Sequence, residues 1–284
     1  MAYVLHGTIL PMTNEHPLLR IEAADIACAL SNHAMLTEGE IQERQYRAGN
    51  LNGIWAYAET RDGKRVGHIS GVGLTQPANV ETLEEALEWL RAENSKSTRV
   101  RMAPTEANAP LVDWLADAGF KRVVRVHQWY VPTDAPINPV VTRRRGETYE
   151  DAYSIREIGP DLAGEFARIV AINYRYKPGR NLSSLERQVG APGTTAFLAF
   201  DGSEPIGTGM LQGVGEISLL GYGTTLKLYR KRGLQNAMIA ARIRKSRELG
   251  FQLAVASTYG TDQSSRNLRR QGFLLAGEVG VYGK

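Results

Sequence analysis

The sequence predicts an α/β protein with mixed sheets flanked by helices, divided into two domains. Three observations carry this. At 284 residues the chain exceeds one ordinary domain and is comfortable for two. Pro132, Pro136 and Pro139, with the basic run Arg143-Arg144-Arg145-Gly146 after them, mark an extended, solvated connector. The stretches on either side end alike, in the order strand, helix, strand, helix, Gly-Phe, strand, so one fold is expected twice. The expected division is a first domain at 1–133, a linker at 134–151 and a second domain at 152–284.

Each element follows from local signals. In the first half, Gly53–Thr60 and Arg65–Leu74 read as strands joined by the turn Asp62-Gly63. A helix over Val80–Glu93, a strand at Thr98–Met102, a helix at Ala109–Ala118 stopped by Gly119-Phe120, and a strand at Arg122–Val131 follow. In the second half, Thr195–Phe200 and Pro205–Gln212 flank the turn Asp201-Gly202. A strand at Glu216–Thr225 leads to a helix at Gly233–Leu249, then a strand at Phe251–Ser257. A helix at Ser264–Arg270, ended by Gly272-Phe273, precedes a closing strand.

Composition sets bounds on function. Hydrophobic residues at 43% and charged residues at 23% suffice for two cores. A net charge of +4 suits small anionic ligands and falls short of a dedicated nucleic-acid binder, so no nucleic-acid partner is expected. Cys28, the single cysteine, fits a reducing compartment. Residues 1–20 lack a signal-peptide core, and no apolar run reaches the ~20 residues of a membrane span. A cytoplasmic protein without membrane association is expected.

The sharpest local signal is Thr224-Thr225-Leu226-Lys227-Leu228-Tyr229-Arg230-Lys231-Arg232-Gly233-Leu234-Gln235-Asn236. A strand ends, a basic stretch turns, and a helix begins at a glycine. Leu234, Met238 and Ala241, with Ile239 and Ile243 beside them, make an apolar face. Arg242, Arg244, Lys245 and Arg247 crowd the final turns, where cations complement the helix dipole. The unpaired amides and positive end of such a helix suit a pyrophosphate. Gly233 lets it approach the backbone, and Lys227, Arg230, Lys231 and Arg232 add charge. A solvated basic loop before an ordinary surface helix is the plainer reading of the same residues. At the corresponding junction of the first half, Thr75–Glu85, there is no Arg-x-x-Gly, and Glu81, Glu84 and Glu85 would repel a pyrophosphate.

Tyr229–Met238 resembles the coenzyme A loop of the GCN5-related N-acetyltransferase (GNAT) superfamily, Arg/Gln-x-x-Gly-x-Gly/Ala. Arg230 and Gly233 match, and Gln235 departs from the last position. The run Arg232-Gly233-Leu234-Gln235-Asn236-Ala237 and the segment Ser264–Phe273 are similar to a tandem-domain branch with a degenerate N-terminal GNAT domain. Gly67–Leu74, Met102-Ala103-Pro104 and Leu115–Phe120 resemble the degenerate partner. The resemblance implies two tandem GNAT-like domains, each with a mostly antiparallel central sheet flanked by helices. It implies acetyl-CoA as co-substrate, no metal, and acyl transfer to the amine of a small molecule or peptide. Thr225 and Leu226 would meet the pantetheine arm, and the amides from Arg230 to Asn236 would hold the pyrophosphate. Ser264 and Asn267 would lie near the thiol.

Acyl transfer to an amine needs positioning, proton removal and stabilisation of the oxyanion and leaving thiolate. An amide near Leu226, where the sheet splays, is the expected carbonyl polariser. The tyrosine that many superfamily members place four residues before the Gly of Gly-Phe is Leu268 here. Ser264 is the first substitute acid, with Tyr259 and Tyr282 behind it. The same residues also read as a helix N-cap and two surface rings. Glu216, opening the strand that leads to the loop, is the candidate base, with Asp262 comparable. A strand-end surface charge and an N-cap are their alternatives. No histidine follows His127, so a histidine base would come from the first half. Tyr174, Tyr176 and Arg180 are the candidate acceptor residues, and their aromatic and basic character suits an acidic or aromatic acceptor. A non-catalytic protein that binds coenzyme A or an acyl metabolite is the competing expectation.

Overall fold

The structure, a computed structural model, describes residues 16–140, 142, 153–177, 180–260 and 263–284. The expectations placed on Arg143–Arg145, Pro178, Gly179 and Asp262 lie outside the described residues. In chain order the elements are α1 (Pro17–Ala34), α2 (Glu38–Glu43), β1 (Arg47–Leu51), β2 (Ile54–Arg61), β3 (Lys64–Ser70), α3 (Val80–Ala92), β4 (Ser97–Met102), α4 (Ala109–Asp117) and β5 (Lys121–Pro132). Then come β6 (Ser154–Ile158), α5 (Ala163–Tyr174), α6 (Ser183–Glu186), β7 (Thr194–Asp201), β8 (Glu204–Val214), β9 (Ile217–Thr225), α7 (Leu234–Glu248), β10 (Leu253–Tyr259), α8 (Gln263–Arg270) and β11 (Leu274–Gly283).

Two compact units are interleaved along the chain. Unit 1 takes the described residues up to Ala27, Leu36–Val126 and Gly277–Lys284; unit 2 takes Cys28–Met35 and His127–Ala276. The strand order is β1-β2-β3-β4-β11 in unit 1 and β5-β10-β9-β8-β7-β6 in unit 2. β3–β4 and β9–β10 are parallel, and the hairpins β1–β2–β3 and the run β6–β7–β8–β9 are antiparallel. The fold is mixed α/β with mostly antiparallel strand pairing, as expected.

Alternation and helical period build the core of unit 1. Ile54, Ala56 and Ala58 face one side of β2 and meet Leu83, Ala86, Leu87 and Leu90 of α3, which recur at the spacing of one helix face. At the start of α3, Asn79 and Thr82 form a capping box: the Asn79 side chain accepts from the Thr82 amide at 2.9 Å, and the Thr82 hydroxyl accepts from the Asn79 amide at 3.1 Å. The short edge strand β1 and helices α1 and α2 have no counterpart among the sequence expectations. β1 reads Arg-Ala-Gly-Asn-Leu and is largely exposed, so it carries no hydrophobic alternation to find.

In unit 2, helices cover both faces of the sheet. Ala196, Leu198 and Phe200 of β7 pack with Phe166, Ile169 and Val170 of α5. The intervening Phe197 and Ala199 pack with Leu234 and Met238 of α7. Because neighbouring strand residues point to opposite faces, α5 and α7 lie on opposite sides. This double cover explains the continuous apolar run of β7.

Candidate active site

The site begins with an irregularity in β9. Thr208 faces Thr224 while Met210 faces Gly221, so β9 carries one extra residue there, a β-bulge. Tyr222 takes a φ of 48° at the bulge. The Thr208 hydroxyl donates to the Tyr222 carbonyl at 2.7 Å, satisfying an acceptor that the strand ladder leaves over. On the other side of β9, pairing with β10 extends only from Leu253↔Ile217 to Val255↔Leu219. From Leu220 onward that edge is open, and it leads straight to the basic loop.

The loop turns tightly. Lys227–Tyr229 form one 3₁₀ turn, Lys231 has a φ of 64°, and Gly233, with φ 80°, stands at the N-cap of α7. A side chain at Gly233 would be strained in this left-handed conformation. No side chain caps α7, so its first amides keep their donors for a ligand. Arg230 braces the loop, donating to the Thr225 carbonyl at 3.1 Å and to the Asn173 side chain at 2.8 Å. Arg232 donates to the Tyr153 hydroxyl at 2.9 Å and lies over the Tyr229 ring. Lys227 and Lys231 are exposed and take no partner among the described residues. The Asn236 side-chain oxygen is buried and unpartnered among those residues. Open amides, two uncommitted ammonium groups and a glycine at the closest approach fit a pyrophosphate.

Beneath the loop, α7 aligns Leu234, Met238, Arg242 and Ser246 along one buried stripe. Arg242, read from the sequence as one of the cations complementing the helix dipole, is 2% exposed and turned inward. Its guanidinium donates only to carbonyls, those of Met238 at 3.2 Å, Met210 at 3.4 Å and Gly221 at 3.0 Å. A Cβ on Gly209 or Gly223 would lie 3.0–3.1 Å from this group, so both glycines make room for it. Burial pushes its pKa down to about 10. On the opposite face, burial pushes the Tyr174 phenol up from its ordinary value.

Around Tyr174 the structure gathers several aromatic residues. The Tyr174 ring lies 6.0 Å from Tyr176 and 6.4 Å from Tyr222, and the Arg180 guanidinium sits 4.1 Å above the Tyr176 ring. The candidate acceptor residues Tyr174, Tyr176 and Arg180 are thus brought together. Tyr222 was missed because nothing in the strand sequence announces a bulge. Burial pushes its phenol up to about 12, with the Tyr176 ring nearby adding to the shift.

Other expected site residues lie elsewhere. The Leu226 amide donates to the Ile206 carbonyl at 2.9 Å, so it is committed to β8 and is no free polariser. Because peptide groups alternate along a strand, Thr225 faces the open side, and its carbonyl is the one Arg230 takes. Glu216 stands exposed at the far end of β9, about 30 Å of strand from the loop, and accepts from the Gln252 side chain at 2.8 Å. It is not brought to the loop. Ser264 is exposed inside the first turn of α8, which begins at Gln263, so it is not the N-cap. The buried serine is Ser265, bonded to the Thr258 hydroxyl at 2.9 Å and donating to the Gly260 carbonyl at 2.8 Å. Asn267 is buried in α8, its oxygen accepting from Gln263 at 2.9 Å and Arg270 at 3.3 Å. Leu268 packs with Trp129 and Phe273. Tyr259 is 71% exposed at the end of β10. Tyr282 pairs with Val100 and belongs to unit 1. The His127 ring meets the Gly260 carbonyl at 3.1 Å. Among the described residues, no group of three or more His, Cys, Asp or Glu side chains could hold a metal ion. No described helix is long and apolar enough to cross a membrane.

Comparison with solved structures defines the class of fold: it is that of the GCN5-related N-acetyltransferases. A GCN5-related N-acetyltransferase from Kribbella flavida superimposes with a TM-score of 0.65 at 17% identity, covering 94% of this chain and 95% of its own. One from Sphaerobacter thermophilus gives 0.60 at 13% identity, covering 93% and 91%. A tandem GNAT protein from the clavulanic acid biosynthesis pathway gives 0.57 at 12% identity, covering 94% and 93%. No protein-family model matches the sequence, and no curated protein matches it either.

Proposed function

We propose that this chain is an acyl-CoA-dependent N-acyltransferase that moves an acetyl group from acetyl-CoA to an amine on a small molecule or peptide. The proposed catalytic domain is 152–284, joined through 134–151 to a cofactor-free domain at 1–133, in a cytoplasmic enzyme. The observation that carries the reading is the contrast between two helix starts. The α7 amides are uncapped behind Gly233 and two uncommitted lysines, whereas at α3 the Thr82 amide is taken by the Asn79 side chain and the Asn79 amide by the Thr82 hydroxyl.

Acetyl-CoA, when bound, supplies a thioester: the amine lone pair forms the new C–N bond, the C–S bond breaks, and the thiol product and amide result. The residues proposed to hold it are Thr225 and Leu226, Lys227, the amides of 230–236, and Ser264 and Asn267. Arg230 and Arg232 shape the loop through their own hydrogen bonds. Tyr174, Tyr176 and Arg180 are proposed to orient the acceptor, and the Arg180 guanidinium over the Tyr176 ring suits an acceptor bearing negative charge. Ser264 stays the proposed proton donor, while Glu216, held by Gln252 at the far end of β9, is out of reach of the loop and is not retained as the base.

A second reading, a binding protein without turnover, draws on Leu268, which is buried where many superfamily members carry a tyrosine. Calorimetric titration with acetyl-CoA, followed by thiol release in the presence of amines, tests both. One-site binding abolished in Gly233→Glu supports the loop. Binding without turnover against a broad amine panel favours the second reading, and absence of binding removes both.

A further inference from the structure

We propose that Arg242 is an electrostatic part of the acyl-transfer site, carrying a positive charge from α7 into the sheet of unit 2 at the β9 bulge, where it favours the thiolate of bound coenzyme A. The inference rests on the coenzyme A reading above and adds a role for a residue outside the cofactor loop.

Four observations converge. Arg242 starts on α7 and ends at the carbonyls of Met210 and Gly221, the facing pair at the bulge. Gly209 and Gly223 leave the passage open: a Cβ on the first would also press on Met238 at 2.8 Å, and one on the second on Gln235 at 2.7 Å. No carboxylate among the described residues pairs with the guanidinium; its hydrogen bonds all go to carbonyls. A buried charge of this kind is costly unless something of opposite sign completes its surroundings. Finally, the bulge adjoins the open edge of β9, four residues back from Leu226, about 13 Å along the strand. That is within the extended reach of a pantetheine arm whose pyrophosphate sits at the start of α7.

The chemical need is specific. When the C–S bond breaks, its electron pair stays on sulfur as a thiolate, which takes a proton afterwards from the proposed donor or from water, and the amine's proton passes to water. With Leu268 in place of a phenol, a fixed cation lowers the energy of the sulfur anion without transferring a proton. The carbonyl contacts alone would also be served by a purely structural arginine that closes the bulge, and the experiment separates the two roles.

The ionisation of the coenzyme A thiol is read from its thiolate absorbance against pH, free and bound to the full-length protein, with binding checked by calorimetry. In the wild type the bound thiol ionises at lower pH than the free thiol. In Arg242→Met the bound thiol ionises about one pH unit higher than in the wild type, a tenfold loss of acidity, while Arg242→Lys keeps most of the effect. A bound wild-type thiol no more acidic than the free one overturns the proposal without any variant. So does an Arg242→Met protein that binds coenzyme A and leaves the bound thiol unchanged. If the wild type binds no coenzyme A, the functional reading itself fails and takes this inference with it.

Discussion

The Thr82 amide donates to the Asn79 side chain at 2.9 Å, closing the start of α3 with the chain's own atoms. Gly233, at the same point of α7, contributes no side chain to do so. The two helix starts therefore differ in whether a side chain caps them. Glu81 and Glu84 are then irrelevant to cofactor binding, and reversing both charges leaves acetyl-CoA affinity unchanged. Asn79→Ala lowers unfolding stability by about 1 kcal/mol and also leaves affinity unchanged. Denaturant melts and titration on the same samples check both outcomes; a large affinity change in either would move the site to unit 1.

At Gly233 two effects separate. Gly233→Ala places a Cβ at φ 80° and costs about 1 kcal/mol of stability. Gly233→Glu adds an anion where the ligand's charge belongs and weakens acetyl-CoA by at least about tenfold beyond the alanine variant. Equal affinities for the two variants would mean that the amides are not the binding groups.

Arg180 lies over the Tyr176 ring and is exposed, so its removal barely touches stability. Arg180→Ala raises the KM for an anionic acceptor about tenfold, roughly 1.4 kcal/mol, and leaves acetyl-CoA affinity as it was. A matched change in both constants would place Arg180 on the cofactor instead.

In unit 1, Arg101 donates to Glu22 at 2.7 and 2.9 Å and to Asp25 at 2.6 Å, with Glu22 only 2% exposed. Arg101→Met removes the guanidinium from a buried carboxylate and costs about 3 kcal/mol in urea unfolding. A loss under about 0.5 kcal/mol would show that the pair behaves as a surface contact.

Burial, with smaller contributions from neighbours, pushes the Tyr57 and Tyr222 phenols up to about 12. Since their folded pKa lies above the unfolded value of 10, the stability they contribute is complete below pH 10 and is lost as pH rises through 12. Alkaline titration followed at the tyrosinate band shows these groups ionising late. Tyr222→Phe leaves the amplitude below pH 11 unchanged and reduces only the late phase.

Much of the fold was legible in the chain itself. The Asp62-Gly63 and Asp201-Gly202 turns, the Gly-Phe stops after α4 and α8, and the glycine opening α7 are local instructions. They act through φ preferences and alternation of neighbouring residues, which need no distant partner. The basic loop was legible for the same reason, since its residues are consecutive. Tertiary structure decided the rest. Only packing assigns Gly277–Lys284, and Tyr282 with it, to unit 1, because strand pairing joins residues far apart in sequence. Only register reveals the bulge at Tyr222 and turns the Leu226 amide toward β8. Arg242 shows the division most plainly. Its place four residues after Met238 puts it on the stripe with Leu234, which the sequence alone determines. Whether a charge there points into solvent or into the sheet depends on the space left by Gly209 and Gly223, residues that only the folded sheet brings beside it.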